Sequence, residues 1–172
     1  AIVLAIWGRE TAYGAYKPTH SAIRALATQA FTGRRKEMFR TELLHALKMV
    51  ELKVIAPEAM KASWAGAMGL TQFMPSEYFT LARDMDGDGR TDIWSSVPDA
   101  LGSAANQLKE KGWVPGLPWG FEVRAPASAT CLLEGIPKKK PIRDWIAAGF
   151  APLVATWLLM RAVVHSPRVT GD

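Results

Sequence analysis

Apolar residues recur at helical spacing through most of the chain, as in amphipathic helices that each bury one face. Val3, Ile6 and Trp7 share a stripe that predicts a first helix over about residues 1–12, with Glu10 at the end of that stripe. Lys17-Pro18-Thr19-His20 interrupts the pattern, and Thr19 or Ser21 can cap a second helix over residues 22–31. Thr32-Gly33 breaks again. A longer amphipathic helix follows over residues 35–53, its apolar face read as Met38, Phe39, Leu43, Leu44, Leu47 and Val50. Arg34, Arg35 and Lys36 crowd its start, where their charge has the wrong sign for the helix dipole.

From residue 56 to 76 the periodicity gives way to Gly, Ala, Ser and Met punctuated by Pro57 and Pro75, which predicts short turns and tight loops. Helical spacing returns over residues 76–83 and 97–111, the second opened by Pro98-Asp99 and closed by Gly112. Between them lies an acidic loop, residues 84–92. Residues 119–125 alternate with period two and predict a short strand. Residues 127–141 read as loop, 142–148 as a short helix and 150–164 as an apolar helix. The expected architecture is mainly α with one short β element. Its domain spans residues 1–126, and a segment over 127–172 packs on it.

Composition narrows the class. At 172 residues the chain can bury a core, and 49% hydrophobic residues with seven Trp exclude disorder. A net charge of +5 points to an anionic partner. The basic clusters, Arg34-Arg35-Lys36 and Lys138-Lys139-Lys140, lack the interleaved aromatics of a nucleic-acid platform, and an anionic polymer such as a cell wall fits equally well. Cys131 is the sole cysteine, which excludes an internal disulfide, and His20, His45 and His165 lack metal-ligand spacing. The longest apolar run, residues 150–164, contains Pro152 and Arg161 and falls short of the roughly 18 residues of a membrane span. The first residue already lies inside an apolar helix, so a targeting segment is expected upstream.

Three groups of residues suggest chemistry. Glu10, held against Ile6 and Trp7 with little water, would have its charged form destabilised and stay protonated enough to act as a general acid; a paired or half-exposed glutamate is the ordinary alternative. Ser63-Trp64-Ala65-Gly66-Ala67-Met68-Gly69-Leu70-Thr71-Gln72-Phe73-Met74-Pro75-Ser76 mixes small residues with Trp, Met, Gln and Phe. That mixture suits a sugar-binding groove, and equally a packing turn between helices. Asp84-Met85-Asp86-Gly87-Asp88-Gly89-Arg90-Thr91-Asp92 fits the first nine positions of an EF-hand loop, with oxygens from Asp84, Asp86, Asp88, Asp92 and the Arg90 carbonyl. Ser95 stands at position 12, where Glu is expected, and Asp99 is the substitute ligand one turn later. An acidic turn without metal is the alternative.

Taken together, these blocks resemble the membrane-bound lytic transglycosylase B family of murein-degrading enzymes, glycoside hydrolase family 103. The matching stretches are Ala5 to Gly14, Gly33-Arg34-Arg35, Ser63 to Gly69, Thr71 to Ser76, Asp84 to Trp94, Gly112-Trp113 and Trp119 to Val123, in the family's order. The resemblance implies a lysozyme-like helical domain with Glu10 as single catalytic carboxylate. It also implies cleavage of the β-1,4 bond between N-acetylmuramic acid and N-acetylglucosamine to 1,6-anhydromuramoyl ends. Ser63 and Gln72 match sugar-contacting positions, and Arg34 and Arg35 match a basic pair near the stem peptide. Tyr13, Met68, Phe73 and Tyr78 are candidate ring-face contacts, with core packing the ordinary reading of each taken alone. No cofactor is expected for the chemistry, while Ca2+ in the acidic loop would be structural. A monomer in the bacterial periplasm is expected, with outer-membrane association through an upstream segment. Glu42, Glu58 and Glu77 are acidic by type, so a hydrolytic muramidase stays open, as does a murein-binding module without turnover.

Overall fold

A computed structural model describes residues 1–116, 120, 122–130 and 140–153. They form six helices and four two-residue strands: α1 Ile2–Thr11, β1 His20–Ser21, α2 Ala22–Thr32, α3 Lys36–Glu51, β2 Lys61–Ala62, α4 Pro75–Leu81, α5 Val97–Glu110, β3 Val123–Arg124, α6 Ile142–Ala147 and β4 Ala151–Pro152. Two compact units divide at Val114 and Pro115, ahead of the expected boundary at 126/127. The cause is local, because β3 pairs antiparallel with β4, which ties Val123 to Pro152 and Arg124 to Ala151. The expected helix over 150–164 therefore begins as a strand, and its remainder from residue 154 lies outside the described residues, as do Cys131, Lys138, Lys139 and His165.

In the first unit the local rules hold where side chains set them. Ser21 caps α2 by accepting the Arg24 N–H at 3.4 Å, and Ser96 caps α5 through Asp99 N at 3.3 Å. Pro98 sits in the first turn of α5, and Gly112 follows its end at φ +91°. The core joins Ala22 and Leu26 of α2, Phe39, Ala46 and Met49 of α3, and Met60, Ala62 and Met68 of the segment beyond.

The buried face of α3 is rotated from the predicted one. Phe39 is buried and Leu43 and Val50 pack on the core as expected, Glu42, Ala46 and Met49 join them, and Met38, Leu44 and Leu47 are exposed. Glu42 explains the shift. Its carboxylate accepts the Ser76 N–H at 2.9 Å and the Ser76 hydroxyl at 2.7 Å, so a charged side chain belongs to the packed face and turns it toward α4. Glu77 in turn accepts Met74 N–H at 3.2 Å, Gln107 Nε2 at 2.9 Å and Lys111 Nζ at 2.9 Å, which bind α4 to α5.

Candidate active site

Helix α1 carries Glu10 one residue before its end. Helical residues advance by about 100°, so Trp7 and Thr11 lie one turn apart on one face and Glu10 sits beside it. Thr11 is the residue turned inward, 1% exposed, and its hydroxyl donates to the Leu70 carbonyl at 2.7 Å. The same oxygen accepts the Gly14 N–H at 3.3 Å. Glu10 itself is exposed and forms no hydrogen bond or ion pair among the described residues. Among the described residues no dry pocket surrounds Glu10: Thr11, polar and overlooked by a search for apolar residues, occupies the inward position that Glu10 was assigned.

This anchor brings the end of α1 to the segment from Ser63 to Ser76. There the chain folds on itself through paired backbone bonds, Met68 N to Phe73 O and Phe73 N to Met68 O, both 2.8 Å, and Leu70 N reaches Ile93 O at 2.9 Å. Thr11→Val would leave the Leu70 carbonyl without its partner, while the Gly14 N–H keeps the Thr11 carbonyl at 3.0 Å. An unsatisfied buried group costs about 1–3 kcal/mol, so the denaturation midpoint should fall accordingly; an unchanged midpoint would show that Thr11 does not anchor α1.

The predicted contacts divide. Ser63 is half-buried, its hydroxyl oxygen accepting Ala67 N–H at 3.2 Å, which leaves the O–H as a donor. Gln72, at φ +56°, donates Nε2 to Gly69 O at 3.0 Å and keeps its side-chain oxygen as an acceptor. Tyr13 is exposed and meets Trp7 edge-on at 5.5 Å. Met68 and Phe73, read as ring-face contacts or core, are fully buried and belong to the core, because the paired backbone between them turns both side chains inward. Tyr78 packs on Phe79 and Trp94 and donates to Thr91 O at 2.9 Å, which places it against the acidic loop. Burial raises its pKa, with the charges of Asp92 and Asp99 adding and Arg90 opposing, so the phenol stays a neutral donor. Arg34 is exposed, and the Arg35 guanidinium lies 5.6 Å over the Phe39 ring.

The acidic loop closes on its own backbone. Asp84 accepts Gly87 N–H at 2.7 Å and Gly89 N–H at 2.9 Å, and Asp88 accepts Arg90 N–H at 2.8 Å. One carboxylate oxygen from each of Asp84, Asp86 and Asp99 lies within 4.8 Å of the others. Asp88 is outside that cluster. Asp92 is also outside it and accepts Trp94 N–H, Ser95 N–H and the Ser95 hydroxyl. Asp99 is 1% exposed and accepts Met85 N–H at 2.7 Å and Asp92 N–H at 2.8 Å. Burial alone would raise its pKa, but the backbone N–H groups of Met85, Asp92 and Asp86 outweigh burial and hold it below the usual carboxylate range. Three convergent, hard oxygen donors fit a calcium ion. Ser96, whose hydroxyl donates to Asp86 at 2.7 Å, was not foreseen; its signal is a serine just ahead of a Pro-opened helix.

Residues 1–168 match the family described as "Transglycosylase SLT domain". Membrane-bound lytic murein transglycosylase B of Escherichia coli is 41% identical over 152 residues, 88% of this chain and 41% of that protein. Among solved structures, Pseudomonas aeruginosa SltB3 in complex with NAG-NAM-pentapeptide is 46% identical with a TM-score of 0.71, covering 89% of this chain and 42% of that one. Escherichia coli Slt35 in complex with calcium is 37% identical with a TM-score of 0.75, covering 89% and 48%. The chain thus spans less than half the length of each. The fold is mostly helical and lysozyme-like, as in these transglycosylases.

Proposed function

Because the chain belongs to the transglycosylase SLT domain family, we propose that it carries the chemistry of a lytic transglycosylase acting on peptidoglycan, with Glu10 as its single acid and base. The observation that supports this most is the tie from Thr11 to Leu70, which holds the end of α1 against the segment bearing Ser63 and Gln72. Glu10 gives its proton to the glycosidic oxygen as the C1–O bond breaks. The muramoyl ring passes through an oxocarbenium-like state, and its C6 hydroxyl attacks C1 while the Glu10 carboxylate takes the hydroxyl proton. Acid and base are then restored in one group, with no water consumed. Glu42 and Glu77 are bound to Ser76 and to α5, which argues against either as a second catalytic carboxylate of the kind hydrolases pair.

Ser63 O–H and the Gln72 side-chain oxygen offer a donor and an acceptor to the sugar's acetamido group. Arg34 and Arg35 offer guanidinium groups to stem-peptide carboxylates. Exposure of Glu10 leaves water within reach, so hydrolysis of the same bond is the competing outcome. Incubation with purified murein should release soluble muropeptides; no release would overturn the reading. Likeness to a membrane-bound relative supports a periplasmic site of action at the membrane.

Calcium at Asp84, Asp86 and Asp99 would brace the loop and take no part in the reaction. Calcium at a hundredfold excess over its Kd should add about 2.7 kcal/mol and raise Tm by roughly 5–10 °C, reversed by chelator. A melting curve indifferent to both would remove the metal.

A further inference from the structure

Trp64 is 66% exposed beside fully buried Ala62 and buried Gly66. Trp7, Trp94 and Trp145 each pair with another aromatic ring, and Trp64 has no such partner among the described residues. Its exposure is not the looseness of a free loop. The turn is clamped by Ser63 N to Ala67 O at 2.8 Å, Gly66 N to Ser63 O at 3.0 Å and Ala67 N to the Ser63 hydroxyl at 3.2 Å. Gly66 sits at φ +88°, where a Cβ would come within 2.2 Å of Leu26 Cδ2, so the turn is pressed onto α2 and displays the indole outward on a fixed base.

Pairing of β1 with β2, His20 with Ala62 and Ser21 with Lys61, brings the start of α2 alongside this turn. Between them lies a cleft of about 330 Å3 lined by Trp64, His20, Arg24, Thr28 and Gln29, with Ala25 also in its wall. Arg24 forms no ion pair among the described residues. A rigid, exposed ring beside hydroxyl, amide and guanidinium groups is the surface that holds a sugar: the apolar ring face stacks and the polar rim bonds its substituents.

We propose that this cleft is a glycan subsite adjoining Ser63, in which Trp64 stacks on an N-acetylated sugar ring and Arg24 meets an anionic substituent on it. This rests on the functional reading above and extends the glycan's path beyond Glu10. The test uses Glu10→Gln, which should bind without cleaving, titrated calorimetrically with soluble β-1,4-linked N-acetylglucosamine oligomers and with uncleaved murein glycan strands. Adding Trp64→Ala should weaken both affinities about tenfold, equivalent to about 1.4 kcal/mol, with Tm unchanged because the indole packs little. Trp64→Phe, which keeps a ring, should recover most of the loss, and Arg24→Ala should weaken only the anionic strands. Affinity unaffected by Trp64→Ala overturns the subsite even if the wild type cleaves murein. Trp64-dependent binding without any cleavage by the wild type would sustain the subsite and overturn the catalytic reading.

Discussion

Glu10→Gln is expected to lower murein cleavage roughly 100- to 10,000-fold, the range that one general acid–base group contributes, with glycan binding kept. The amide matches the carboxyl in shape and can neither release nor reclaim the transferred proton. Glu10 is exposed, and the described residues give it no dry surroundings. In the proposed reaction the bound glycan displaces the water around Glu10. Measured as single-turnover release of muropeptides, retained cleavage by Glu10→Gln would remove the residue from the chemistry. Lost binding alongside lost cleavage would show instead that Glu10 holds the substrate.

The largest effect on stability is expected from Gly66→Ala. At φ +88° an L side chain costs about 1–2 kcal/mol. The new methyl also meets Leu26 Cδ2 at 2.2 Å and Cγ at 2.6 Å, and Leu26 is fully buried with no room to retreat. Overpacking adds about 1–3 kcal/mol, for a total of roughly 2–5 kcal/mol. Denaturant titration should show the midpoint falling to match. Relief by moving the turn would displace Ser63 and Trp64, so activity should fall in whatever fraction stays folded. An unchanged midpoint would mean that the turn does not bear on α2.

How much of this could be read beforehand follows from where the forces act. Ser21, Pro98 and Gly112 act within one helical turn, and the boundaries they imply are those observed. Glu42 and Thr11 act across 34 and 59 residues. A pattern of apolar positions could not foresee that a charged and a hydroxyl side chain would occupy inward places. Strands of two residues carry no periodicity, so β1–β2, which aligns α2 with the Ser63 turn, was invisible in advance. Met68 and Phe73 suit a core or a groove by type, and their burial, with their mutual backbone pairing, settles on the core. The acidic loop was legible as a motif, and Asp99 as a late carboxylate that converges on it, because both follow from chain-local spacing; the diversion of Asp92 to Ser95 depends on how the following turn closes.

The most direct test of the central claim is mass spectrometry of murein digested by the wild-type chain in water enriched in oxygen-18. If Glu10 regains its proton from the muramoyl C6 hydroxyl, the new ends are anhydro sugars, one water lighter than reducing ends and free of label. Reducing muramic ends carrying the heavy oxygen would contradict it and make the chain a hydrolase.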